Sequence, residues 1–174
     1  TILMVAIVVI LVATVSASFF GLLDEVRQPT PNVAETAGEF VAGGDRDEQV
    51  VQITHVAGDS VAIEDIEIIV RVSGSGVDTE ARLVNLPSTA SSRLLNENIE
   101  GNDDLIDQRF GSAELIVDDG VEAWSAGRTI EFRINSGDAD FREPPTSPND
   151  ADELDIIIVH TPSNAILFEQ TFVP

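Results

Sequence analysis

Cysteine and lysine are both missing from this chain of 174 residues, and positive charge of any kind is scarce. Without cysteine there are neither disulfides nor thiolate metal sites, so the fold must rest on its own core and redox chemistry says nothing of compartment. Nine basic residues, all arginine, face 31 acidic ones and leave a formal net charge of -22. Nucleic-acid binding is thereby disfavoured, because it needs clustered Lys and Arg to displace counterions from phosphates. Histidine is nearly absent too: His55 and His160 are the only two. Each falls near the end of a strand-like stretch and needs no special role there, since no convergent set of reactive groups surrounds it in sequence. The chain has no GxSxG elbow, HExxH pair or glycine-rich phosphate loop, so neither an enzyme nor a cofactor is expected. No asparagine is followed two places on by Ser or Thr, which removes N-linked glycosylation; sugar on the Ser/Thr-rich loop from Ser88 to Ser92 stays open.

Acid is what the chain has in excess, and all of it lies from Asp24 onward. Like charges at this density repel, and at 1 M ionic strength, where the Debye length falls to about 3 Å, that repulsion is largely screened. Such a surface belongs in brine. A hydrophobic fraction of 43% is too high for intrinsic disorder, so the acidic part should fold. The clusters "GNDDLID" (Asp103, Asp104, Asp107) and "VDDG" (Asp118, Asp119) lack the spacing of a calcium loop; they are expected to be solvated loops, with no metal site.

The other extreme is an apolar start. From Ile2 to Leu23 no side chain is charged, and the polar ones are Thr14, Ser16 and Ser18. About 20 such residues suffice to cross a hydrocarbon core as a helix, and in an apolar medium every backbone group must be satisfied within the segment. The stop is Gln28, because the residue before a proline, here Pro29, is pushed out of the helical region. The rod of residues 1–28 would then be roughly 42 Å long at 1.5 Å per residue. A retained membrane anchor fits it, as does a helix that starts in a membrane and ends in the core of a polymer. The first residue is Thr and no positive cluster precedes the run, which suggests processing upstream or missing leading residues. Ala13, Ala17 and Gly21 are spaced by four and Ala6 lies seven before Ala13, a stripe of small residues that permits close helix-on-helix approach. Pro29 and Pro31 in "RQPTPN" mark an extended hinge, residues 29–35, ahead of a head over residues 36–174.

In the head the pattern changes to period two, the mark of half-buried strands. "RTIEFRI" and "IEIIVRV" show it best. "DELDIIIVH" and "AILFEQTFV" flank "TPSN" and should pair as a hairpin, with Ile166, Phe168 and Phe172 inward. "GEFVA", "QVVQITHV", "EARLV" and "AELIVD" complete eight candidate strands, and "PSTASSRLLNENIEGNDD" and "EPPTSPNDADE" are the longest loops. The fold class expected is α+β: a long N-terminal hydrophobic helix followed by a mainly antiparallel β-sandwich or small β-barrel.

"TILMVAIVVILVATVSASFFGL" resembles the N-terminal segment of the archaeal type IV pilins of halophiles, an uncharged helix retained after a prepilin peptidase removes a positively charged leader. "QITHVAGDSVAIEDIEIIV" and "EAWSAGRTIEF" resemble a strand-turn-strand and a Trp-containing approach to a later strand in the same group. The acidic residue with which bacterial pilins register their subunits is missing, in line with the archaeal forms. The resemblance implies a subunit held in the membrane before assembly and then built, by pilus assembly machinery, into a helical homopolymer with the helix inside and the head outside. Its role would be structural and adhesive, at the cell surface. An archaellin of a swimming filament is the near alternative; a monomeric membrane-anchored binding domain is the distant one.

Overall fold

The computed structural model describes residues 29–43 and 48–174. The expected rod, with Ala6, Ala13, Ala17 and Gly21, lies outside the described residues. Among the described residues, no helix is long and apolar enough to cross a membrane.

Among the described residues the head has ten strands: β1 (Val33–Ala42), β2 (Gln49–Gly58), β3 (Val61–Ala62), β4 (Ile66–Ser73), β5 (Asp78–Leu83), β6 (Ile99–Gly101), β7 (Ala123–Trp124), β8 (Thr129–Ile134), β9 (Glu153–His160) and β10 (Ala165–Phe172). A three-stranded sheet has the order β1-β2-β8, a five-stranded sheet the order β10-β9-β4-β5-β6, and β3 pairs with β7 alone. Every ladder between these strands is antiparallel. The inner faces of the two larger sheets share one hydrophobic core, to which β2, β4, β8 and β9 contribute most of the valines and isoleucines. Ile66, Ile68, Val70 and Val72 of β4 and Ile130, Phe132 and Ile134 of β8 are all buried, as period-two alternation requires when one face is dry.

The two sheets approach closely where β1 passes over β10. A Cβ on Gly38 would lie 2.6 Å from the ring of Phe168 and 2.5 Å from Oε1 of Gln170. The glycine is the recess into which the β10 side chains fit. Phe40 meets Phe172 at 6.1 Å between ring centroids and Phe141 edge-on at 5.0 Å, geometries that aromatic quadrupoles favour.

Seven of the eight expected strands are present. "AELIVD" is the exception: Glu114 and Val117 make isolated bridges only, and Leu115 sits at φ 67°. That left-handed residue breaks the alternation, so Leu115, Ile116 and Val117 are buried in succession. Ile166 also departs from expectation, at 58% exposed. A bulge between Ile166 and Phe168 inserts one extra residue, and one inserted residue exchanges the faces of the strand. Phe168 is therefore inward and Ile166 outward. The stretch "PSTASSRLLNENIEGNDD" is not a plain loop: it buries Leu94 and Asn98 and supplies β6. Asn98 is satisfied there, its Nδ2 donating to the carbonyl of Asn85 at 2.9 Å and its Oδ1 accepting from Leu95 at 3.1 Å. Finally, β1 begins at Val33, inside the 29–35 stretch expected to be a hinge, and of the described residues 29–32 precede it without regular structure.

Candidate functional site: the entry of the apolar segment and the opposite pole

Pro29 and Pro31 deliver the chain to the edge of the three-stranded sheet. Asn32 is latched in both directions: its N–H donates to Oδ2 of Asp59 at 3.0 Å, and the N–H of Asp59 donates to its carbonyl at 3.0 Å. Gly58 lies beneath it at φ 125°, where a Cβ would come within 2.3 Å of that carbonyl. The crossing is as tight as a backbone allows. Behind the latch, His55 is fully buried and stands edge-on to Trp124 at 5.2 Å. Its Nε2 lies 3.0 Å from the carbonyl of Asp59, and since a carbonyl only accepts, Nε2 carries the proton. Trp124 donates from Nε1 to the carbonyl of Arg128 at 3.2 Å. His55 therefore braces the entry turn, and His160, also buried, holds Ser163 in the β9–β10 turn at 2.7 Å. Both are more enclosed than strand-end positions suggested.

The opposite pole is set by register. Val33 pairs with Gly58 at the entry and Ala42 with Gln49 at the far end, where Gln49 in turn faces Ile134. Ten residues of extended chain put roughly 30 Å between the two. At the far pole the buried Gln49 ties down an irregular segment, its Nε2 donating to the carbonyl of Ala139 and its Oε1 accepting from Phe141, both at 2.7 Å. Next to it Asp140, fully buried, accepts from the guanidinium of Arg142 at 2.7 and 2.8 Å and from the backbone N–H of Thr146 and Ser147 at 2.7 and 2.8 Å. The Arg142 hydrogen bond, aided by those amides against the opposing effect of burial, holds this carboxyl well below the usual carboxylate range. Asp138 goes the other way, raised by burial and by the neighbouring charges of Asp104 and Asp103.

A polar cleft of about 540 Å³ opens at the same pole, between the start of β2, the end of β8 and residues 103–109. Asp103, Asp104 and Asp107 all line it. Burial alone would raise Asp107, but the side chain and backbone of Arg109 outweigh it and lower the carboxyl. Among the described residues, no group of three or more acidic or histidine side chains is placed to hold a metal ion. Other arginines pair on the outer face of the five-stranded sheet: Arg82 with Glu67 and Glu100, and Arg71 with Glu80 at 2.5 Å.

Residues 1–34 match the family model for the N-terminal region of archaeal type IV pilins. This leading segment is similar to that of archaeal type IV pilins. The match runs through both prolines and ends at the second residue of β1, so the matched segment leads directly into the three-stranded sheet. No curated protein matches the chain. The two parts of the chain differ sharply: an apolar segment without charge over residues 2–23, and an acidic head whose entry point is braced by Asn32, Asp59 and His55. The head itself was legible only as strands; no sequence signal marked Asp59, Gly58 or Gln49 as the residues that frame its two poles.

Proposed function

We propose that this protein is a self-assembling pilin, inserted in the membrane through residues 1–28 until assembly and then incorporated into an extracellular type IV pilus-like filament that serves surface adhesion. The observation that carries this reading is the pilin match over residues 1–34. Its physics is an exchange of apolar surroundings. Passing from lipid to neighbouring helices keeps the side chains dry, whereas exposure to water would forfeit about 1.5–3 kcal/mol for each large one. A head-to-tail interface that does not close yields an open filament, with salt screening the charge of the heads. The stripe of Ala6, Ala13, Ala17 and Gly21 is the proposed contact between helices, and Pro29 with Pro31 the proposed joint.

The test is expression of the full chain, with a prepilin leader, in a salt-requiring archaeal host lacking its own pili. Fibres in the sheared surface fraction by electron microscopy are the expected result, lost when residues 2–23 are removed. Membrane-bound monomers without fibres would defeat the reading. Scoring attachment against swimming in the same strains separates a pilus from an archaellum.

A further inference from the structure

The cleft at the far pole lies away from the entry of the apolar segment and is given no task by assembly. Its volume of about 540 Å³ lies within the roughly 300–1,000 Å³ of small-ligand pockets. Both arginines on its wall are committed to carboxylates: Arg109 to Asp107 at 2.5 Å and Arg133 to Glu48 at 2.8 Å. With both arginines paired and further carboxylates on its wall, the cleft does not suit an anion. Besides Ser136 and the amides of Gln49 and Asn135, which bond backbone carbonyls of Ala139 and Asp104, the polar lining mixes the amides of Asn96 and Gln108 with the carboxylates of Asp103 and Asp104. Amides donate and accept while carboxylates accept, a set that complements neighbouring hydroxyl groups, which do both.

Phe110, next in the chain after cleft-lining Arg109, is 80% exposed. Its turn is held in place. Gly111 donates its N–H to the carbonyl of Ser92 at 2.7 Å, Ser112 to that of Arg109 at 3.1 Å, and the N–H of Arg109 bonds Oδ1 of Asp107 at 2.9 Å. The ring, presented on a fixed turn one residue from the cleft wall with little packing of its own, is free to contact an apolar face.

We infer that this cleft binds a neutral saccharide, with Asn96, Asp103, Asp104 and Gln108 bonding its hydroxyls and Phe110 covering the C–H face of a sugar ring. The inference deepens the adhesive reading, on which it rests for the outward orientation of this pole. It also fits the chain's acidity. Attraction between exposed charges is screened within about 3 Å at 1 M salt, while hydrogen bonding and apolar burial persist.

Filaments of the full chain, kept in molar sodium chloride, are passed over immobilised maltotriose, cellotriose, mannotriose and tri-N-acetylchitotriose, with dextran sulfate and bare matrix as controls. Retention on at least one neutral trisaccharide is expected. Phe110→Ala should weaken it about tenfold, as loss of one aromatic contact and its buried area implies; Asp104→Ala should weaken it as well, with unchanged circular dichroism in both. No retention on any of the four sugars, retention on dextran sulfate alone, or retention indifferent to both substitutions would overturn the inference. Electron microscopy of the same preparations keeps the two readings apart: fibres that bind no sugar defeat the cleft alone, and sugar binding by protein that forms no fibres defeats the filament alone.

Discussion

At the scale of single residues, two carboxyls of the far pole pull stability in opposite directions with pH. Asp140 is lowered in the folded head, so its contribution is complete above the unfolded value of about 3.9 and is lost as pH falls through the folded one. Asp138 is raised, so its favourable contribution exists below the unfolded value and disappears as pH rises through the folded one. Asp140→Ala strips Arg142 and two amides of their acceptor, and should cost about 3 kcal/mol at neutral pH in denaturant titration, the scale for breaking a buried pair. The deficit should shrink toward pH 2. Asp138→Asn should leave neutral-pH stability unchanged or raised, because it removes a charge set beside Asp103 and Asp104; a clear loss would contradict the assignment. Gly58→Ala meets a left-handed φ and a carbonyl at 2.3 Å, and a cost of about 1–3 kcal/mol is expected, read as a lower thermal midpoint in molar salt.

At the scale of elements, strand β10 tests the bulge. Alternation read from the sequence puts Ile166, Phe168 and Phe172 on one face, and the inserted residue moves Ile166 to the other. Ile166→Thr should therefore change stability by less than about 0.5 kcal/mol, as for surface positions, while Phe168→Ala should cost about 3–5 kcal/mol. Equal losses would restore the unbulged register. Period-two alternation located seven strands because a half-buried strand writes its burial into neighbouring residues. It misplaced "AELIVD" because the left-handed turn at Leu115 lets consecutive apolar residues face the same core. A run of three apolar residues does not reveal whether the chain through it is straight.

At the scale of the whole molecule, charge and the apolar segment govern behaviour. Dialysis from molar to millimolar salt should loosen or unfold the head, since the Debye length grows about tenfold between 1 M and 0.01 M; circular dichroism unaltered by this change would contradict a salt-screened fold. Ala13→Phe, placed in the small-residue stripe, should abolish or thin the fibres while the head folds normally, because a bulky ring prevents close helix approach. Fibres of normal yield would remove the stripe from the proposed interface.

The division of the chain into an uncharged leading segment and an acidic, strand-rich head was determined by sequence alone, because solvent preference and alternation are properties of neighbouring residues. The two poles were decided only by tertiary structure. The entry latch joins Asn32 to Asp59, and the cleft assembles residues 48–49, 103–109 and 133–136. Their meeting depends on strand register and on which way a turn sends the chain, and no local pattern records a distance between residues that far apart in sequence.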